Sequence, residues 1–213
     1  MRVVHPSGTV RRGLLVLVLA LLTLVLAPGA PAGSPRPVST ASNDSWSDSW
    51  SQSWTPARPS RRAYVSGVPV SLRIPRLGVS TAVVAVNADA GVLVPPADPA
   101  LVGWWAGGVR PGSPHGAVLM TGHTVHSGDG VFDDLAVLAP GDLVQVSTPR
   151  STLTYAVVAV RDLSKAELAS AARDLFAATG RSRVVLVTCT DWDDGEYLGN
   201  TVVVAVPDEQ QQR

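Results

Sequence analysis

A single thiol is available to this chain, Cys189, inside the stretch VVLVTCT from Val184 to Thr190. A thiolate attacks acyl carbonyls, and a cysteine does so efficiently when a base or a cation lowers its pKa from about 8.5. The run Val184 to Val187 is apolar throughout, whereas Asp191, Asp193, Asp194, Gly195 and Glu196 follow directly. That change predicts a thiol where a strand meets a loop, at a rim and not in a core. The other use of an unpaired cysteine is as a small buried hydrophobe.

Histidine is the natural companion, because its imidazole titrates near neutral pH. His5 precedes the apolar N-terminal run, and His115 stands in the turn Pro111 to Gly116 as a solvated residue. His123 differs. In GAVLMTGH it sits just past an apolar strand, with Gly122 before it permitting an unusual backbone angle. His126 and Asp129 extend it to H-x-x-H-x-x-D, which is weak as a metal set without a helix or a further strong ligand to align it. The acidic run from Asp191 to Glu196 has a composition suited to Ca²⁺, but reads first as a solvated loop. No metal site and no cofactor is expected.

The elements that must hold these groups are short and β-branched. Strands are predicted over Ser71–Ile74, Ala82–Val86, Gly116–Met120, Leu143–Ser147, Leu153–Val160, Val184–Val187 and Thr201–Val206, with Gly and Pro between them. Such spacing indicates an all-β barrel or sandwich. One segment has helical period instead: Leu168, Ala171, Ala172, Leu175 and Phe176 in residues 164–178, opened by Ser164 and Glu167 in a capping-box spacing and ended by Gly180. The fold expected is mainly β, a mostly antiparallel barrel with one late helix. Trp104 and Trp105 read as packing or pocket wall.

Composition sets the outer limits. The 213 residues carry 17 basic and 17 acidic side chains without a block of like charge, so nothing suggests a nucleic-acid surface. With one cysteine no disulfide forms within the chain, and the core must close on Val, Ala and Leu. Arg2, Arg11 and Arg12, the apolar run Gly13 to Ala27 and the small residues to Gly33 have the pattern of a secretory signal. Residues 1–32 are therefore read as a signal peptide or a retained membrane anchor. Residues 33–64 read as a disordered Ser/Pro/Trp-rich tether, in which Trp46, Trp50 and Trp54 repeat every four residues. The Trp repeat fits either contact with a membrane interface or simple duplication. Residues 65–213 form the folded domain.

LMTGHT (Leu119 to Thr124), FDDLAVLAPGD (Phe132 to Asp142), VVLVTCT and NTVVVAVP (Asn200 to Pro207), in that order, resemble the sortases. IPRLGVS (Ile74 to Ser80) and GVLVPP (Gly91 to Pro96) are similar to the opening strands of the small class F or class E members. The resemblance implies an eight-stranded β-barrel with one or two short helices, outside the cytoplasmic membrane. It also implies a cysteine transpeptidase that cleaves a C-terminal LPxTG-like sorting signal through a thioacyl-enzyme. The partners implied are sorting-signal peptides of secreted proteins and an amine acceptor such as a peptidoglycan precursor. By position Cys189 is the nucleophile, His123 the acid that protonates the leaving amine, and Thr188 a candidate for the oxyanion pocket. The pattern departs at Leu198, which stands where sortases usually carry an arginine; Arg161 and Arg73 are the substitutes to be placed, and Arg183 lies too far along its strand. The alternative is a catalytically degenerate sortase-fold protein that acts as an exported binding module, with Cys189 buried away from His123.

Overall fold

A computed structural model describes residues 65–89 and 91–208. The segments read as signal or anchor and as Trp-rich tether, residues 1–32 and 33–64, lie outside the described residues.

Alternation of apolar and polar residues builds the first elements. In β1 (Ser71–Ile74) and β7 (Leu143–Ser147), Leu72, Ile74, Val144 and Val146 are sealed from water while their neighbours are open or half-open. β1 pairs antiparallel with both β2 (Val79–Val86) and β7. β2 then pairs parallel with β5 (Val102–Trp105), β5 antiparallel with β6 (Ala117–Thr121), and β6 parallel with β9 (Arg183–Asp193). β9 and β10 (Glu196–Pro207) form an antiparallel hairpin, and β8 (Thr152–Ser164) joins β10 back to β7. Eight strands thus close in the order β1-β2-β5-β6-β9-β10-β8-β7, and closure leaves no unpaired sheet edge. The short strands β3 (Ala88–Asp89) and β4 (Val92–Leu93) pair only with each other.

The barrel interior is filled by Leu72, Ile74, Met120, Phe132, Leu135, Val144, Val146, Leu153, Leu186 and their neighbours. Withdrawing each such side chain from water contributes about 1.5–3 kcal/mol. Trp104 belongs to this core, its indole N–H donating to the Val109 carbonyl at 3.0 Å. The outer face of β6, β9 and β10 carries a second apolar layer of Ala117, Leu119, Val185, Val202 and Val204, against which Leu93, Trp105 and the helix residues Leu168, Ala171 and Phe176 pack.

The helix α1 (Lys165–Leu175) begins where β8 ends. Ser164 is its cap: its hydroxyl accepts from the Glu167 N–H at 3.2 Å, and the Glu167 carboxylate accepts from the Ser164 N–H at 2.8 Å. These bonds hold the Glu167 carboxyl below its ordinary pKa. The helix is shorter than its sequence pattern, closing at Phe176 before Gly180. Its C-terminal carbonyls are collected by Arg183, whose guanidinium donates to Asp174 at 2.6 Å and Leu175 at 3.0 Å, and also to the Arg181 carbonyl beyond the helix at 3.0 Å. Burial depresses that guanidinium's pKa, with Asp174 opposing. Arg183 is therefore a helix cap at the far end of β9 from the thiol.

Two further boundaries depart from the sequence pattern. β5 was not expected at all, being only four residues long and containing Gly103, where a Cβ would come within 2.9 Å of Val86. β9 and β10 run well beyond their apolar cores, because DWDDGEY forms a cross-strand ladder, Trp192 opposite Tyr197 and Asp193 opposite Glu196, with the turn at Asp194 and Gly195.

Candidate active site

Alternation along β9 sends Val184 and Leu186 into the barrel and Val185 and Val187 to the outer layer. Continued for two residues, this places Thr188 inward and Cys189 outward. β6 alternates likewise, with Val118 and Met120 inside and Ala117 and Leu119 outside. In the parallel pairing Thr121, the last residue of β6, lies opposite Val187; His123 and Cys189 each follow two residues later along their chains. Adjacent strands run roughly 4.8 Å apart. On the other side of Cys189 the register brings Asn200 of β10 and then Leu163 of β8.

Cys189 is not at a strand end, as its polar successors suggested. It lies within β9, at the place where β6 has stopped and the β9–β10 ribbon continues alone. The thiol is half-buried, and that burial pushes its pKa up, with the positive charge of Lys165 working in the opposite direction.

The turn after β6 is locked to β9 by Thr188. Its hydroxyl donates to the Gly122 carbonyl at 2.9 Å and lies 2.7 Å from the Thr124 hydroxyl. The residues on both sides of His123 are thus tied to the residue before Cys189. Thr188 is only 3% exposed, and both bonds are made inside, so its hydroxyl is committed to this clamp. The Asn200 amide donates to the Thr188 carbonyl at 3.1 Å, adding a tie from β10. Gly122 is required for space and not for an unusual backbone angle: a Cβ there would lie 2.6 Å from Phe132 and 2.6 Å from Val131. Phe132 in turn is fully buried, its N–H donating to the His123 carbonyl at 3.0 Å, and Asp133 accepts from Val125 at 2.7 Å and from Gly130 at 2.9 Å.

His123 Nε2 lies 2.7 Å from the Pro96 carbonyl. A carbonyl only accepts, so Nε2 carries the hydrogen in this contact, and Nδ1 is the ring nitrogen not engaged by Pro96. GVLVPP therefore supplies the group that fixes the tautomer, which its sequence gave no means of seeing. His126 does not join His123; its ring stacks on Trp192 with centroids 5.0 Å apart, and Trp192 meets Tyr197 edge-on at 4.8 Å. Asp129 lies in the left-handed region at φ 76°, and among the described residues no three His, Cys, Asp or Glu side chains converge to hold a metal. The Tyr197 hydroxyl is shut off from solvent, and burial is the main cause that raises its pKa, with the charge of Cys189 also raising it and the His126 backbone opposing.

Of the three cations weighed for the place of Leu198, Arg183 caps the helix, and Arg73 lies on β1, four strands from β9 in either direction around the barrel. Arg161 lies two strands from β9, level with Val187. Leu198 itself is 42% exposed.

The model of the sortase domain matches residues 72–208. The chain belongs to the sortase family. Solved sortases share its fold. Sortase A from Corynebacterium diphtheriae, a lid mutant, is 18% identical with a TM-score of 0.52, covering 70% of this chain and 74% of that one. Sortase C1 from Streptococcus agalactiae is 22% identical with a TM-score of 0.51, covering 71% and 70%. The pilus-related sortase C of Group B Streptococcus is 18% identical with a TM-score of 0.53, covering 74% and 76%. Among curated proteins none matches the chain. No helix among the described residues of this sortase is long and apolar enough to cross a membrane.

Proposed function

We propose that this sortase is an exported cysteine transpeptidase of the small class F or E type, with Cys189 as nucleophile and His123 as acid and base. The observation that supports the reading is the parallel register of β6 and β9, which ends with Thr121 opposite Val187, two residues before His123 and Cys189, together with the bonds from Thr188 to Gly122 and Thr124 on either side of His123. The substrate is a C-terminal LPxTG-like sorting signal of a secreted protein. The Cys189 thiolate adds to the Thr–Gly carbonyl, and the C–N bond breaks as His123 Nδ1–H gives its proton to the departing amine. This leaves a thioester on Cys189. An amine, such as one on a peptidoglycan precursor, then gives a proton to Nδ1, attacks the thioester and releases the thiolate. Thr188 contributes by holding the His123 turn, since its hydroxyl is already engaged. The N-terminal segment, as signal or anchor, delivers the domain to the outer side of the membrane, and no cofactor takes part.

Incubating the full chain with LPxTG-like peptides and an amine, followed by intact-mass measurement, tests this directly. A thioacyl adduct lost in Cys189→Ala supports the transpeptidase. A panel of peptides that gives no adduct overturns it. The second reading, a degenerate sortase that only binds, is favoured by the uncharged, exposed Leu198 beside a thiol whose burial disfavours the thiolate; it predicts peptide binding that survives Cys189→Ala.

A further inference from the structure

The β8–α1 junction lies two strands from the strand that carries the thiol. Ser164, the last residue of β8, lies opposite Gly199, and Gly199 lies opposite Thr190, the neighbour of Cys189. Gly199 makes this corner close: a Cβ there would sit 2.9 Å from the Leu163 carbonyl and 3.2 Å from Thr190. One step further along both chains come Lys165 and Leu198. The turn of the chain at Ser164 is held by the capping box, so Lys165 leaves the sheet at a fixed point, roughly two strand spacings or 10 Å from β9, with a four-carbon stem to extend across Leu198. Lys165 is solvent-exposed and is the charge that favours the ionised thiol against burial.

We propose that Lys165 is the electrostatic partner of Cys189, supplying from the helix start the positive charge that β10 lacks at Leu198. This rests on Cys189 being the reactive thiol of the proposed transpeptidase. The titratable and charged groups on the elements around that thiol are His123 after β6, Tyr197 on β10, Asp191 on β9, Arg161 on β8 level with Val187, and Lys165 with Glu167 at the start of α1. Glu167 is turned back onto Ser164 by the cap, which leaves Lys165 as the free charge of the helix start.

The test uses the rate of alkylation of Cys189 by iodoacetamide as a function of pH on the full chain, in which no other cysteine competes. The thiolate displaces iodide, so the rate follows the ionised fraction without any need for a peptide substrate. Lys165→Met is expected to move the midpoint up by roughly half a unit to one unit, Lys165→Glu further, and Lys165→Arg to leave it in place. Raising salt should lift the midpoint of the parent and leave that of Lys165→Met unchanged. Unchanged helix content by circular dichroism in all variants separates charge from folding. Superimposable profiles for parent, Met and Glu variants would overturn the proposal while leaving the transpeptidase intact. A graded series in a protein that forms no thioacyl adduct would sustain the charge pair and sink the transpeptidase.

Discussion

The two faces of β6, β9 and β10 are made by the same residues in alternation, yet they do different work. Inward, Val118, Met120, Val184, Leu186 and Val203 are sealed within the barrel. Outward, Ala117, Leu119, Val185 and Val202 form a layer buried beneath Trp105, Leu93 and α1, and further along β9 and β10 Cys189 and Asn200 lie opposite each other, the thiol only half-buried. A period of two residues makes this division. Thr188 is where the faces communicate, an inward residue whose hydroxyl sets the position of an outward histidine.

The comparison is broken most severely by substitutions that act on one face alone. His123→Ala should lower the rate of thioacyl formation by about 10²- to 10⁴-fold, the usual contribution of a positioned acid–base group. Thermal unfolding should scarcely change, because the ring's hydrogen bond is one contact, to the Pro96 carbonyl. Leu186→Ala should do the reverse, costing about 2–5 kcal/mol in denaturant unfolding while Cys189 still alkylates with the parent's pH profile. A large rate loss without destabilisation in this variant would show that the faces are not separable.

Thr188→Val sharpens the link between them. It strands the Gly122 carbonyl and removes the Thr124 contact, at a cost of about 1–3 kcal/mol, and both stability and thioacyl rate should fall together. A variant that loses stability but keeps its rate would dismiss the clamp. The pH dependence gives a fourth comparison. Since burial raises the Cys189 pKa, its alkylation should rise with pH to a midpoint above the value of about 8.5 usual for a free thiol, and unfolding in urea should return it there. The smallest effect belongs to the cap: Ser164→Ala should cost about 1 kcal/mol, and a shift of the thiol's pH midpoint in the same variant would tie the cap to the charge it places.

Much of the barrel was legible because its strands alternate or are continuously apolar. β7 falls on its predicted bounds, and β1 likewise. β5 is hidden by Gly103, a residue that weakens a strand's pattern while permitting the close packing on Val86. The polar half of the β9–β10 hairpin was read as a loop because Asp and Gly disfavour strands locally. Pairing to its own partner strand overrides that preference. Cys189 and His123 stand out by residue type, whereas Pro96, Thr124 and Asn200 carry no local signal: each bonds through one carbonyl, hydroxyl or amide whose partner is distant in sequence.

By itself the sequence determined which groups were available for chemistry, one thiol and a histidine after an apolar strand, and the β-rich, aliphatic character of the domain. Residue type and short-range period settle those matters. Only the tertiary structure decided that the turn carrying His123 is bonded through Thr188 to the strand carrying Cys189, that His123 Nε2 meets the Pro96 carbonyl, and that Arg183 serves a helix end. Those are relations between strands, set by register and barrel closure, and no local stretch of chain contains them.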